Sequence, residues 1–271
     1  TVGSGISVTT AMALNGADKD NYSLTQPTLT GDITAKALTV TNASAQNKTY
    51  DGTTDATVSG AQLSGVLVGD LAEVTLGDAD TGTFATADIG NGITVTTAMT
   101  ISGNKASNYS LAQPSLSADI TSKAITITAD AKSKEYGDSD PTLTYQITAG
   151  SLASGDSMSG SLSRNAGEAV GTYTITQGTL TPGGNYDVTY TSADLTVTKR
   201  TLTLTADDKS KTYGQTDPTF TVSWSGFVNG DDATSLGGSY SLFRQVGENL
   251  GTYTITVISM LTSSDYTINA V

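Results

Sequence analysis

Apolar and polar residues alternate in short runs along the whole chain, and turn-forming residues such as Gly, Pro, Asn and Asp separate the runs. Strands this short, with turns between them, predict an all-β fold of small Ig-like β-sandwich modules. A β-grasp-like module with fewer paired strands is the alternative, and the pattern leaves strand topology open. Between residues 125 and 198 it predicts seven strands: Ile125–Thr128, Lys134–Tyr136, Leu143–Thr148, Ser159–Arg164, Thr172–Thr176, Tyr186–Tyr190 and Leu195–Thr198.

The chain also repeats itself. Residues 3–36 align without gaps to residues 90–123, and "AITITADAKSKEYGDSDPTLTY" (124–145) returns as "TLTLTADDKSKTYGQTDPTFTV" (201–222). A fixed period of this kind is typical of tandem arrays. We therefore expect four consecutive segments. Segment 1 (1–35) is the C-terminal part of an incomplete module, segment 2 (36–122) and segment 3 (123–199) are modules, and segment 4 (200–271) is a module that lacks its last strand.

At each boundary the alternation changes phase. Apolar positions on the two sides of the basic residue at each boundary differ by an odd step of five in residue number, as in Ile33 and Leu38, Ile120 and Ile125, and Val197 and Leu202. Because side chains in a strand point alternately to opposite faces, a continuous strand would send these residues to different sides. We therefore expect two strands at each boundary, one closing a module and one opening the next. Without a flexible linker between them, the modules should form an end-to-end elongated rod.

Most of the 12 tyrosines occupy fixed positions in the repeats. One position holds Tyr50, Tyr136 and Tyr213, which we call the signature tyrosines. A second holds Tyr22, Tyr109, Tyr186 and Tyr266, and a third holds Tyr173 and Tyr253. A large ring with a hydroxyl group at a fixed place predicts a core anchor whose OH meets backbone at the rim of the core. Sugar stacking is the alternative.

Composition and charge exclude several classes of function and partner. The net charge of −13 repels phosphate backbones, so no nucleic-acid partner is expected. No run approaches the roughly 18 apolar residues that span a bilayer, so direct membrane insertion is not expected. The chain has no Cys and no His, and His is the side chain best suited to proton transfer at neutral pH. We expect no enzymatic activity, no catalytic or cofactor-binding residues and no cofactor.

Several acidic pairs could offer oxygen ligands to calcium: Asp18 with Asp20, Asp78 with Asp80, Asp138 with Asp140, and Asp207 with Asp208. None continues into a calcium loop with its glycine and closing Glu. The acidic pairs are also not kept from one repeat to the next, since Gln215 stands at the position of Asp138. We interpret these acids as solvated turn residues and predict no metal site.

Two further constellations recur. In both repeats an Arg and a Glu flank a hairpin turn, and this arrangement predicts a surface ion pair between Arg164 and Glu168 and between Arg244 and Glu248. Lysines near strands raise the hypothesis of a Lys to Asn or Asp isopeptide bond, but solvated lysines that protect edge strands are the favoured interpretation. These lysines are Lys36, Lys48, Lys123, Lys134 and Lys211.

The turns "KTYDGTTDA" (48–56), "KEYGDSDP" (134–141) and "KTYGQTDP" (211–218) carry a resemblance. The first resembles the YDG-type repeat and the other two the MBG repeat of the YGX type, both of large bacterial exoproteins. Such repeats occur in surface-anchored or secreted adhesins similar to filamentous haemagglutinin, exported by two-partner secretion. The resemblance implies an extracellular or cell-surface location, an outer-membrane secretion or anchoring partner, and a stalk role without an activity.

Two functions stay open on the sequence. In the first, the modules form a stalk that contacts its neighbouring repeats, projects a distant binding region and leaves room for lateral self-association, as in a biofilm matrix. In the second, loops of the modules bind a glycan or a host protein. Only "TVSWSGFVNGDD" (221–232), with the sole Trp, fits the second function, and the alternation of Trp224 with Val222 predicts a core residue instead.

Overall fold

A computed structural model describes all residues from Thr1 to Val271. The chain is all-β as predicted, with 25 strands and four single 3-10 turns. No helix in it is long and apolar enough to cross a membrane. The 3-10 turns are Lys19–Asn21, Val68–Asp70, Ala106–Asn108 and Ala233–Ser235.

The strands of segments 1 and 2 are β1 (Gly3–Val8), β2 (Leu29–Ile33), β3 (Lys36–Thr41), β4 (Ser44–Ala45), β5 (Lys48–Thr49), β6 (Asp55–Ser59), β7 (Gln62–Ser64), β8 (Thr75–Gly77), β9 (Thr81–Phe84), β10 (Gly90–Thr96), β11 (Thr100–Ser102), β12 (Tyr109–Ala112) and β13 (Leu116–Thr121). Those of segments 3 and 4 are β14 (Lys123–Ala129), β15 (Lys132–Glu135), β16 (Tyr145–Ala149), β17 (Ser163–Arg164), β18 (Gly171–Thr176), β19 (Tyr186–Thr191), β20 (Ala193–Thr198), β21 (Arg200–Ala206), β22 (Val222–Ser225), β23 (Tyr240–Arg244), β24 (Ile255–Ser259) and β25 (Tyr266–Ala270).

The residues group into two compact units. The first contains Thr1–Lys123 together with the loop Ala153–Asp156, and the second contains Ala124–Leu152 and Ser157–Val271. The boundary between the units therefore lies next to Lys123, where one segment was predicted to end. The division into four segments stays a prediction, and their names are used below as labels for stretches of sequence.

Segment 2 is built from two main sheets. One has the order β12-β3-β7, and the other has the order β4-β6-β9-β10-β13-β5. Leu38 on β3 packs with Val74 and Tyr109 in a buried cluster, because apolar residues on alternate positions of each strand face the same side. In the larger sheet β5 runs parallel to β13, so the third and last strands of the segment are neighbours.

Segment 3 repeats this plan with a sheet β16-β14-β19 and a sheet β15-β20-β18-β17. Ala129 from the first sheet packs against Ile175 and Leu195 from the second, so the core lies between two sheets, as in a sandwich. All seven predicted strands are present. The fourth is shorter than predicted, because only Ser163–Arg164 pairs as a strand while Ser159 forms an isolated bridge with Thr181.

Segment 4 has a sheet β22-β21-β25 and a hairpin β23-β24. Leu202, Leu204 and Tyr266 are buried in it. Here no strand pairs with the stretch Lys209–Tyr213, whose counterpart in segment 3 contains β15. The second sheet of segment 4 is therefore smaller than that of segment 3.

Segment 1 consists of the antiparallel pair β1 and β2. Its apolar residues are far more exposed than their counterparts in segment 2, as Ile33 is 52% exposed and the matching Ile120 is 2% exposed. The difference arises because β1 and β2 form a two-stranded sheet alone, whereas the matching β10 and β13 lie in a six-stranded sheet and the segment has a second sheet, β12-β3-β7.

The phase change at the boundaries has the predicted structural basis. One residue separates β13 from β14, and one separates β20 from β21. Ile120 and Ile125 are both buried, yet β13 and β14 belong to different sheets. Each boundary is thus a pair of strands that serve different cores, and neither pair is one continuous strand.

Candidate functional site

Four charged side chains of segment 3 form a cluster that joins the two edge strands of its second sheet, β15 and β17. Lys134 Nζ lies 2.8 Å from Asp140 and 2.5 Å from Glu168, and Arg164 contacts the same two carboxylates. We call Lys134, Asp140, Arg164 and Glu168 the ion quartet. The side chain of Lys134 is only 4% exposed, so its charge depends on these partners, since a buried charge is costly unless it is paired and hydrogen-bonded.

Strand and turn geometry holds the quartet in place. Lys134 lies on β15 and Arg164 ends β17, while Asp140 lies in the turn between β15 and β16. Arg164 also donates to the carbonyl of Gly167 at 2.6 Å, and its guanidinium carbon lies 5.3 Å from the centre of the Tyr173 ring. The quartet therefore ties the turn after β15 and the hairpin loop after β17 to the two edge strands of the second sheet.

The charges of the quartet shift the pKa values of its members. Hydrogen bonds from Arg164, and then from Lys134, lower the pKa of Asp140 from 3.8 to about 2. Burial opposes the charge of Lys134, but the hydrogen bonds to Asp140 and Glu168 outweigh it and raise its pKa. Both groups therefore stay ionised at neutral pH, whereas an isopeptide bond requires a neutral amine as the nucleophile. The geometry is that of an ion pair.

The quartet confirms part of the sequence interpretation and corrects another part. Arg164 and Glu168 do form an ion pair, as do Arg244 and Glu248. The expectation of a solvated lysine is wrong for Lys134, which is buried. The partners Lys134 and Asp140 were missed. The sequence does contain a signal for these partners. Both repeats keep a Lys and an Asp six residues apart, and both keep an Arg and a Glu four residues apart.

Segment 4 carries the same four groups in a more open setting. Lys211 contacts Asp217 and Glu248, and Arg244 contacts both carboxylates. The Lys211 side chain is 21% exposed, compared with 4% for Lys134. A matched pair of quartets, one with a buried lysine and one with a more exposed lysine, is thus present in a single chain.

Four of the acids considered as calcium ligands have protein partners for their side chains. Asp138 pairs with Arg200 at 2.8 Å, and Asp140 belongs to the ion quartet. Asp207 accepts hydrogen bonds from Thr221 and Ser223. Asp78 accepts one from Thr100. No group of three or more acidic residues lies close enough together to hold a metal ion.

A second constellation joins segment 3 to segment 4 within the second unit. The hydroxyl of the signature tyrosine Tyr136 donates to Asp231 at 3.1 Å, and the hydroxyl of Tyr266 donates to the same carboxylate oxygen at 2.8 Å. The Tyr136 and Tyr266 rings meet edge to face with their centres 5.4 Å apart. Asp231 thus receives one tyrosine from each side of the boundary, and we call this arrangement the tyrosine junction.

The rings continue from the junction into segment 4. Tyr266 contacts Phe227, Phe227 contacts Trp224, and Trp224 contacts Tyr240, with centres 5.4 to 5.9 Å apart. Pairs of this geometry add to the energy of simple burial. Trp224 is therefore packed between aromatic neighbours, as its alternation with Val222 indicates.

Backbone contacts at the junction require a glycine. Gly137, next to Tyr136, has a positive φ of 84°, and a Cβ atom built there would lie 2.3 Å from the Val228 side chain. Val228 belongs to the same loop as Asp231. The glycine of the Tyr-Gly signature is needed both for the turn and for the close approach of the neighbouring segment.

The first unit contains a related contact. The hydroxyl of Tyr50 donates to Asp156 at 3.0 Å, and a Cβ atom on Gly52 would lie 3.3 Å from that of Ala153. Ala153 and Asp156 are the ends of the loop that belongs to this unit. Two signature tyrosines therefore contact an Asp of the segment that follows in the sequence.

A loop with the same Gly-Asp ending exists in segment 2, where Tyr109 donates to Asp70 at 2.7 Å and accepts from the Leu67 backbone N–H. Burial, and then the hydrogen bond to Asp70, raise the pKa of Tyr109 above 10.0. The predicted contact of tyrosine hydroxyls with backbone is confirmed here and at Tyr173, which donates to the Ala169 carbonyl. The aspartate acceptors were missed, because no local spacing connects them to the tyrosines.

The last strand of a segment fixes its signature tyrosine. The Tyr136 N–H donates to the carbonyl of Thr198 at 2.9 Å, and the Tyr50 N–H donates to that of Thr121 at 2.8 Å. Each threonine hydroxyl in turn donates to the carbonyl of the lysine two residues before the tyrosine. Tyr213, which has no such strand beside it, is 70% exposed, and Tyr22 is 72% exposed, so the prediction of a core anchor is wrong for these two tyrosines.

The ion quartet of segment 3 should make the stability of the fold depend on pH. The folded-state pKa of Asp140, about 2, lies below its ordinary value of 3.8, so its stabilising effect is complete above about pH 4 and is lost as the pH falls through about 2. We expect Asp140→Asn to lower the melting temperature at pH 6, and the difference from the wild type to shrink towards pH 2. Circular dichroism melts across this range measure it.

Asp187→Asn, at an exposed residue outside the quartet, is the control and should track the wild type at every pH. A difference between Asp140→Asn and the wild type that stays constant from pH 6 to pH 2 would contradict the assignment.

The tyrosine junction should make Gly137 more sensitive to substitution than its counterpart. Gly137 and Gly214 have similar positive φ values, 84° and 80°, but a Cβ on Gly214 would meet no atom within 4 Å. Both Gly137→Ala and Gly214→Ala place an alanine in a positive-φ conformation that it disfavours. Only Gly137→Ala also overpacks the junction, which should lower the free energy of unfolding by about 1 to 3 kcal/mol more. Urea unfolding followed by Trp224 fluorescence measures the difference, and equal losses would show that the contact is weak.

Family comparisons agree with the repeat structure described above. A model of the MBG domain (YGX type) matches residues 125–196 and 202–271, and a model of the YDG domain matches residues 34–116. No curated protein and no solved structure matches the chain significantly. The two MBG matches cover more than half of the 271 residues. The chain therefore belongs to the MBG domain (YGX type) family, with a YDG domain preceding its two MBG repeats.

Proposed function

We propose that this chain is a structural stalk segment of a large bacterial cell-surface or secreted adhesin. The YDG and MBG domains fit a family of repeat-containing exoproteins. The observation that carries the proposal is the tyrosine junction, in which the residues that define the repeat contact the neighbouring repeat. Signature residues that contact the neighbouring repeat resist movement between the two repeats, which is the mechanical role that a stalk needs.

Several kinds of contact restrict motion between segments 3 and 4. Besides the tyrosine junction, Arg200 on β21 pairs with Asp138 at 2.8 Å, and the Val170 N–H donates to Asp265 at 2.9 Å. Only one residue connects β20 to β21. A connection this short leaves little rotational freedom, so the repeats should act as one semi-rigid body that projects a distant binding region.

Trp224 weakens the case for the alternative function. The alternative, that loops of the modules bind a glycan or a host protein, predicts aromatic-rich loops that differ between the copies, because binding residues are often on variable loops. Trp224, the residue that fitted this function best, packs against Phe227 and Tyr240. The stalk is therefore the function we propose, with an extracellular location and an outer-membrane secretion or anchoring partner as parts of the proposal.

Small-angle X-ray scattering of the chain tests the stalk. We expect an elongated profile, and insertion of four Gly residues after Lys199 should broaden the distribution of interatomic distances because it releases the junction. The control inserts four Gly residues after Gly183, in a turn where a Cβ atom would meet nothing within 4 Å. It should leave the profile unchanged.

A compact wild-type profile would contradict the stalk. Equal effects of the two insertions would contradict a rigid junction.

A further inference from the structure

The hairpin β23-β24 of segment 4 carries apolar side chains on its outer face. Ser241 lies opposite Ile258, and Phe243 follows two residues later on the same face. Met260 extends this face, because its N–H donates to the Ser239 carbonyl just beyond the paired strands. Phe243, Ile258 and Met260 are each more than half exposed. We call these three residues the outer stripe.

The other face of the hairpin points to the core. Burial alternates along both strands, with Leu242, Arg244, Ile255 and Val257 partly buried and the residues between them exposed. This alternation is the side-chain period of a strand whose two faces meet different surroundings. The side chains of the outer stripe therefore contribute little to the core of segment 4.

Segment 3 lacks an outer stripe. Ser163 lies opposite Thr176 in the matching register, so it occupies the position of Phe243, and Gly178 occupies that of Ile258. The same fold thus forms with small residues on this face, and the apolar residues of segment 4 are not needed to build it. Exposed apolar side chains that cluster on one face indicate an interaction surface.

The strand that carries Phe243 is also an edge strand. β24 is the neighbour of β23 in a two-stranded sheet, and the counterpart β17 is the last strand of the four-stranded sheet of segment 3. An edge at this place is therefore part of the plan of the repeat. Edge strands offer unpaired N–H and C=O groups to another strand.

The backbone geometry shows which groups of β23 face outwards. Hydrogen bonds at the two ends of the ladder join Ser239 and Gln245 to the opposite strand. In an antiparallel pair only alternate residues bond to the partner strand. Tyr240, Leu242 and Arg244, which lie at the other positions, therefore point their N–H and C=O groups away from β24.

We propose that β23 pairs antiparallel with β23 of a second copy of this chain, around a two-fold axis at Leu242. This register places Leu242 opposite Leu242 of the second copy and Tyr240 opposite its Arg244. Every outward N–H and C=O group of these three residues is then bonded to the other copy. A contact that uses the same surface on both copies closes at a dimer.

The side chains of the outer stripe fit the same register. Phe243 lies opposite Ser241 of the second copy, so a large side chain meets a small one on both sides of the axis. The Ile258 side chain of the second copy lies one strand further on, within diagonal reach of the ring. Backbone pairing and apolar burial therefore favour one and the same alignment of the two strands.

Charge favours a second copy as the occupant of this edge. From residue 236 to residue 264 the hairpin and its loop contain only two charged residues, Arg244 and Glu248, which pair with each other. The whole chain carries a net charge of −13, so two copies repel each other over much of their surface. The hairpin is a neutral region where they can meet, and it offers no charge to select a strongly charged partner.

The size of the contact predicts a weak dimer. Each copy contributes a five-residue strand, which is small beside the roughly 20 to 30 residues a side of a standard protein interface. We therefore expect dimers at high micromolar to millimolar concentration. This self-association goes beyond the proposed stalk, because an elongated chain that stays monomeric would still serve as a stalk.

Sedimentation equilibrium of the whole chain, up to millimolar concentration, tests the contact. We expect a monomer–dimer equilibrium. Phe243→Ser, which introduces the residue that segment 3 has at this position, should weaken the dimer at least about tenfold because two rings lose their burial. Val246→Ser is the matched control, since Val246 is 92% exposed and lies outside both strands. It should dimerise like the wild type.

A pair of charged variants tests the register. Phe243→Lys and Ser241→Glu should each weaken the dimer, because charges protect edge strands from pairing. Residue 243 lies opposite residue 241 of the second copy, so a mixture of the two variants should restore dimers that contain one chain of each kind. Both side chains point outwards, and unchanged circular dichroism and Trp224 fluorescence would show that each variant is folded.

A wild-type chain that stays monomeric at millimolar concentration would overturn the proposal. So would equal weakening by Phe243→Ser and Val246→Ser, a mixture of charged variants that fails to dimerise, or growth beyond the dimer. An elongated scattering profile from such a monomer would leave the stalk intact, so the two proposals can fail separately.

Discussion

The carboxylate of Asp231 holds the boundary between two repeats together. It accepts one hydroxyl from Tyr136, which belongs to the preceding segment, and one from Tyr266, which belongs to its own segment. A partly buried carboxylate needs such donors, and hydrogen bonds to a charged group are stronger than those between neutral groups. Because both donors are rings in edge-to-face contact, the polar and the aromatic interactions fix the same geometry.

The junction depends in turn on the strand that closes a repeat. Thr198 at the end of β20 holds the Tyr136 backbone, and Val197 on the same strand lies opposite Lys134 of the ion quartet. One strand therefore completes the core, borders the charged cluster and orients the tyrosine. Small modules bury a limited fraction of their surface and are marginal alone, so we expect such coupling to stabilise neighbouring repeats.

Much of the fold could be predicted from the alternation of apolar residues. The seven strands of segment 3 and the paired strands at each boundary follow from a side-chain period of two, and the Arg164 and Glu168 pair follows from a hairpin turn. What could not be predicted depends on topology. β15 lies beside β20, about 60 residues away in the sequence, only because the two strands run parallel in one sheet. That pairing buries Lys134, and the packing of successive repeats brings Asp231 to Tyr136.

A double-mutant cycle of Tyr136→Phe and Asp231→Asn tests the central claim most directly. Each variant and the double variant would be unfolded in urea, with Trp224 fluorescence as the probe of segment 4. If the hydroxyl and the carboxylate hold the repeats together, the coupling free energy should be about 0.5 to 1.5 kcal/mol. A coupling free energy of zero, with strictly additive losses, would contradict the account.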